Sequence, residues 1–232
     1  MPLIQDLRTP ALRPRHWAEV RERLGVDFDP ASADFTLEKV FALGFNAHAD
    51  FIAELSANAN KELAIEESID ALEVRWDALS FELQPHKEHY YKFKTSEELI
   101  QTLEDDTVAL STMKASKFYP AFAARIDAWE HALSAISEVI ESLQGLQRKW
   151  MYLESIFMGT GDISRQLPTE FAMFAEVNTQ FVELLSDMHE HPNARWFCTR
   201  EGIVQELTSM DNVLERVQKS LDQYLETKRM LF

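Results

Sequence analysis

Glycine and proline are scarce in this chain, with six and eight among 232 residues. That leaves few places to turn, and most of the length carries helical periodicity. Cysteine is scarcer still. Cys198 stands alone, so no intrachain disulfide can form, and a reducing compartment is the simpler setting. Positive charge is also short: 23 Lys and Arg face 39 Asp and Glu, a formal net charge of -16. Such a surface repels phosphate backbones and acidic lipid headgroups, so neither nucleic acid nor membrane is an expected partner. Residues 1–8 lack a basic start followed by an apolar run, and no stretch approaches the length of a membrane span, so the expectation is a soluble chain. What is present in quantity is hydrophobic residue, 46% of the total, which excludes a wholly disordered chain.

Those apolar residues recur in stripes. Phe122, Ile126, Trp129, Leu133, Ile136, Ile140 and Leu143 follow at steps of four and three, polar Gln147 interrupts, and Trp150, Leu153 and Phe157 resume. The spacing keeps one apolar stripe toward a partner helix; from 120 to 157 the helix would run roughly 55 Å. Ile52, Leu55, Ala59 and Leu63, then Ile69, Leu72 and Trp76, predict a second long helix from 46 to about 78. Ile203, Leu207, Met210, Leu214, Val217, Leu221 and Tyr224 predict a third, and Phe171, Phe174, Phe181, Leu185 and Met188 a fourth that stops before Pro192. Shorter helices are predicted after Pro14, ending at Gly25, and from Thr36 to a stop at Gly44. Ser96 with Glu97 and Glu98 opens another, whose apolar face is Leu99, Leu103, Leu110 and Met113.

Between residues 79 and 94 the period changes to two, with Leu79, Phe81 and Leu83 and then Tyr91 and Phe93 alternating with polar residues. A β-hairpin turning at 85–89 is predicted. The fold class is therefore all-α, an elongated antiparallel helical bundle with one small β-hairpin. Its approximate parts are 1–118, helices plus the hairpin, and 119–232, the long-helix bundle.

Motifs that could carry chemistry are weak. Residues 158–162 (MGTGD) contain a glycine pair but no Gly-x-x-x-x-Gly-Lys-Ser/Thr pattern and no preceding strand, so a helix-stopping turn is the better account. His86 and His89, and His189, His191 and Cys198, are metal-capable donors without the two close pairs of a structural zinc site. The histidine pairs read as surface-loop residues. Glu66 and Glu67, Glu97 and Glu98, and Glu104 with Asp105 and Asp106 read as solvated helix faces, and Cys198 as a small buried hydrophobe. Neither Glu88–His89 nor Glu190–His191 supplies the Glu-x-x-His spacing of a helical metal site. No catalytic, cofactor-binding or metal residue is assigned. Trp76, Trp129 and Trp150 are assigned to the core seam, and Tyr90, Tyr91 and Phe93 to a candidate contact surface on a hairpin face left uncovered. Gly159 and Gly161, ahead of Gly145, are hinge candidates because glycine permits angles that a continuous helix forbids.

Residues 147–157 (QRKWMYLESIF), with 158–163 (MGTGDI) and 166–168 (QLP) after them, resemble the linker region of dynein heavy chains, which precedes the motor's ring of AAA+ modules. Residues 13–17 (RPRHW) with 25–29 (GVDFD), 61–63 (KEL) with Ile65 and Glu66, and 218–229 (QKSLDQYLETKR) resemble the same family at similar spacing. Several blocks in register are more specific than any one, and together they cover nearly the whole chain. Residues 34–40 (DFTLEKV) lean toward the axonemal branch. The resemblance implies a lever across the ring face that bends and straightens as the first AAA+ module binds and hydrolyses ATP, with no catalysis or cofactor in the linker itself. Its implied partners are the AAA+ ring of the same heavy chain and other dynein or axonemal proteins. The implied place is the cytoplasm and cytoskeleton, and for an axonemal member the cilium or flagellum. Because the family's polypeptide continues past Leu231 and Phe232, an excised fragment is expected. The alternative is a spectrin-like or tethering helical module of another cytoskeletal or trafficking protein, which the seams support equally and the hairpin argues against.

Overall fold

Helix starts are set by side chains that capture orphan amides. In the computed structural model, which describes residues 2–159 and 161–230, the Thr36 hydroxyl accepts from the Lys39 N–H at 3.3 Å and opens α3 (Leu37–Ala42). The Ser96 hydroxyl accepts from Leu99 N–H at 3.1 Å and opens α5 (Glu97–Lys114). Gly25, at φ 65°, closes α2 (Pro14–Leu24) in the left-handed conformation that glycine adopts without strain. Pro168 is the first residue of α8 (Pro168–Glu190). The other helices are α1 (Pro2–Leu7), α4 (Ala49–Ala78), α6 (Tyr119–Phe157), α7 (Ile163–Gln166), α9 (Ala194–Thr199) and α10 (Ile203–Met230). With these ten helices and one two-stranded sheet among the described residues, the fold is all-α.

Three elements depart from expectation. The short helices α1 and α9 carry too few residues to show a period, and α9 is announced only by Asn193, whose side chain accepts from Trp196 N–H at 2.8 Å. The hairpin is β1 (Glu82–His86) paired antiparallel with β2 (Tyr90–Lys94), so the turn shrinks from 85–89 to Lys87, Glu88 and His89. Pro85 lies within β1 opposite Tyr91, tolerated because an edge strand has a side that needs no donor. Lys87, at φ 56°, is the one non-glycine residue with positive φ among those described. Phe81 sits outside the hairpin: its N–H donates to Pro192 O at 2.7 Å and Ala194 N–H donates to Leu79 O at 3.0 Å.

The chain divides into two compact units, with a boundary between Ala71 and Leu72. The first unit holds the residues up to Ala71 with Pro120–Phe122. In it α2 lies antiparallel to α4, since Arg13 meets Glu66 while Arg23 lies over the Phe51 ring. Val20, Phe28, Val40, Phe45, Ile52 and Leu55 form its buried cluster. The rings of Phe28 and Phe45 lie 5.3 Å apart, and Trp17 meets Phe28 edge-on. His16, buried, accepts the Arg13 N–H at Nδ1, so its Nε2 carries the proton and donates to Glu62 at 2.6 Å. One side chain thereby satisfies the start of α2 and pins it to α4.

The second unit holds Leu72–Tyr119 and Ala123 onward. Most of α6 belongs to it, from Ala123 on; the helix is 39 residues without interruption, about 58 Å at 1.5 Å per residue. Lys114 reaches Glu130 while Gln144 reaches Thr95, so α5 and α6 are antiparallel. Trp150 meets Asn178 while Phe157 stacks on Phe174, so α6 and α8 are antiparallel too. α10 instead runs with α6: Gly202 to Gln205 lie beside residues 128–138, and Leu207 to Asp211 beside residues 141–149. All seven residues of the Ile126, Trp129, Leu133, Ile136, Ile140, Leu143 and Trp150 stripe are buried.

Candidate functional site

Polar Gln147 breaks the apolar stripe of α6 for a physical reason. Its side-chain oxygen accepts the Phe93 N–H at 2.6 Å and its amide nitrogen donates to the Phe93 carbonyl at 2.8 Å. Phe93 faces outward from the β1 partner, and an exposed strand edge needs both groups satisfied. An amide side chain supplies one acceptor and one donor, as a third strand would.

The neighbouring positions on the same face complete the attachment. Gln144 donates to the Thr95 hydroxyl at 2.6 Å, just beyond β2. Trp150 carries the His86 ring edge-on at 5.3 Å and donates from Nε1 to Asn178 at 2.8 Å. Glu154 is buried, and its carboxylate takes His86 Nε2 at 2.8 Å on one oxygen and Lys87 Nζ at 2.7 Å on the other. Steps of three and four place 144, 147, 150 and 154 on one stripe of a helix. A buried carboxylate is costly unless paired, and the turn supplies the cation, with Lys87 in a left-handed conformation. From the opposite side Tyr91 stacks on His189 at 4.1 Å, and Phe81 packs edge-on against both Phe93 and Phe197. The hairpin is therefore a clamped part of the second unit.

This corrects the candidate contact surface. Phe93 is 4% exposed and belongs to the core, and Tyr90 and Tyr91 are half-buried. His86 is a docked strand residue instead of a loop donor, and Asp106 departs from the solvated-face reading. Asp106 is buried and accepts from Trp76 Nε1 at 2.8 Å and from Arg75. Glu66 pairs with Arg13. Glu67, Glu97, Glu98, Glu104 and Asp105 lie on exposed helix positions.

Trp76, Trp129 and Trp150 are all buried, and each indole N–H has a side-chain acceptor: Asp106, Glu73 and Asn178. Arg195 lies 4.2 Å above the Trp129 ring. Gly145 sits inside α6 with nothing within 4 Å of an added Cβ. Gly159 follows the end of α6 closely enough that a Cβ would lie 2.7 Å from the Ser155 carbonyl oxygen, while Gly161 has open space. Thr160, between them, and the terminal Leu231 and Phe232 lie outside the described residues.

Among the ionisable groups displaced from their ordinary range, Cys198 and Asp187 lie near α9. Burial pushes the Cys198 thiol well above its ordinary range, against a weaker pull from Arg200. The Arg200 hydrogen bond holds the Asp187 carboxyl below its ordinary range, with His191 adding to it. Among the described residues no three His, Cys, Asp or Glu side chains gather as a metal site would require, and no helix is long and apolar enough to cross a membrane.

Tryptophan seams and a hydrogen-bonded hairpin clamp define a structural all-α module. A family model described as "Dynein heavy chain, N-terminal region 2" matches residues 1–232. All of the chain aligns, at 48% identity over 232 residues, with the "Dynein-1-beta heavy chain, flagellar inner arm I1 complex" of Chlamydomonas reinhardtii. It is 47% identical over 233 residues to dynein axonemal heavy chain 2 of Mus musculus and 37% identical over 236 residues to dynein axonemal heavy chain 10 of Homo sapiens, again over its full length. The chain spans 5% of each relative. It belongs to the dynein heavy chain family, as an N-terminal region of the heavy chain, and the spectrin-like alternative falls away.

Proposed function

We propose that this segment is part of the linker of a dynein heavy chain, a lever arm that carries ATP-driven changes of an AAA+ ring into force on a microtubule. The observation that carries the reading is the clamp of the hairpin on α6 through Gln147, Trp150 and Glu154, all within the block 147–157. A lever must resist bending, and a lone helix curves easily. Antiparallel α8 on one side and a hydrogen-bonded ribbon on another stiffen the same stretch of α6. Nucleotide chemistry then belongs to another part of the heavy chain, and the ring is an intramolecular partner. The names of the relatives support an axonemal setting, in cilium or flagellum, with other axonemal proteins as further partners.

If bending occurs within this segment, Gly159 and Gly161 are the favoured hinge, ahead of Gly145, because α6 passes through Gly145 without a break. The half-buried Tyr90 and Tyr91 remain candidates for a contact with the ring. The test is energy transfer in a complete heavy chain, between a dye on the exposed turn residue Glu88 and one on the ring. A stepwise change on ATP addition is expected. An efficiency identical in all nucleotide states would rule the lever out.

A further inference from the structure

We infer that the groove between α5 and α6 is a docking surface for a basic amphipathic helix of a partner protein, an inference that goes beyond the lever reading and does not rest on it. The groove has a volume of about 800 Å³ and lies wholly in the second unit. Leu103, Leu110 and Leu133 form its floor, and Val108 stands 66% exposed on its α5 wall. A β-branched residue at an exposed helix position adds little to the helix itself. The α6 rim is small, with Ser134 and Ser137, which lets a third helix approach closely.

Charge selects the occupant. Glu104 and Glu130 line the groove. From 97 to 113 α5 carries Glu97, Glu98, Glu104 and Asp105 at exposed positions and no Lys or Arg. From 126 to 147 α6 carries no Lys or Arg, and of its acids Glu130 lines this groove while Glu138 and Glu141 line the grooves beside α10. Arg75 is engaged by Asp106, and Lys114, at one end, is held by Glu130 at 2.6 Å and Asp127 at 3.8 Å. A largely apolar trough with one carboxylate on each wall, Glu104 on α5 and Glu130 on α6, fits a helix with Leu-type residues at i, i+3, i+4 and i+7 and Lys or Arg on both flanks. Like charges across such an interface are costly, so an acidic helix is refused.

The experiment titrates this chain with a labelled designed helix of about three heptads, bearing Leu on one face and Lys on its flanks, and with a copy in which Glu replaces each Lys. Anisotropy should show saturable binding of the cationic peptide and none of the anionic one. Glu104→Lys with Ser137→Lys, both exposed positions, should weaken the cationic peptide by about tenfold or more and admit the anionic one. Asp222→Lys with Glu226→Lys on α10 should change neither. A photocrosslinker at position 108 should capture the peptide. Absence of saturable binding, equal loss from the α10 pair, or crosslinks outside the groove would each overturn the proposal. So would sedimentation showing that the chain covers this groove with a second copy of itself.

Discussion

Gln147 is a residue whose role depends on having both a donor and an acceptor. Gln147→Ala should lower unfolding stability by about 1–3 kcal/mol, because it leaves the Phe93 N–H and carbonyl partly unsatisfied. Gln147→Glu should not restore it, since a carboxylate accepts from the N–H but cannot donate to the carbonyl. Urea melts of the two variants measure this, and equal stability with wild type would mean that the clamp contributes nothing. Cys198 gives a second residue-scale expectation. Its thiol, buried and pushed up in pKa, should resist maleimide at neutral pH in the native chain and react fully in denaturant. Asp187 gives a third, and its sign follows from the lowered pKa. The folded carboxyl titrates below the unfolded one, so its contribution is present above the ordinary value of about 4 and is lost as pH falls through the folded value. The side chain is 36% exposed, which limits the contribution to that of a surface pair, up to about 1 kcal/mol. The gap in stability between wild type and Asp187→Asn should therefore hold down to about pH 4 and close as pH falls further, through the lowered folded value. A constant gap would assign the effect to packing.

At the scale of elements, the long helix and the hairpin are one assembly. Trp150→Ala should cost about 3–5 kcal/mol, as large aromatic deletions do in cores, whereas exposed Trp196→Ala should stay within about 0.5 kcal/mol. Thermal melts distinguish the two. Much of this was legible in the sequence, because a three-four step over many turns leaves little freedom. Ile126 to Leu143 are buried where their spacing puts them, and Thr36, Ser96 and Gly25 cap the helices that they announce. The clamp was less legible. A period of two marks a hairpin but not which of its faces is covered, so Phe93 was assigned to a partner when Phe81, Phe197 and Gln147 already hold it. The polar break at 147 was the available signal, and only the meeting of residues 54 positions apart gives it meaning. Glu154 and Asp106 were hidden for the same reason, since a carboxylate at a helical position looks solvated until its partners, from His86 and Lys87 or from Trp76 and Arg75, are brought to it.

For the whole molecule, the central claim is that the clamp lets this segment of a dynein heavy chain carry load. The hairpin must then stay attached while the heavy chain turns over ATP, and releasing it must reduce mechanical output for each ATP consumed. The direct measurement is microtubule gliding by a complete heavy chain bearing Gln147→Ala with Glu154→Gln, with velocity divided by the ATPase rate of the same preparation. Exchange of the Phe93 amide serves as the check that the hairpin has been released. A released hairpin with a reduced velocity per ATP is the predicted result, and a released hairpin with wild-type velocity per ATP would contradict it.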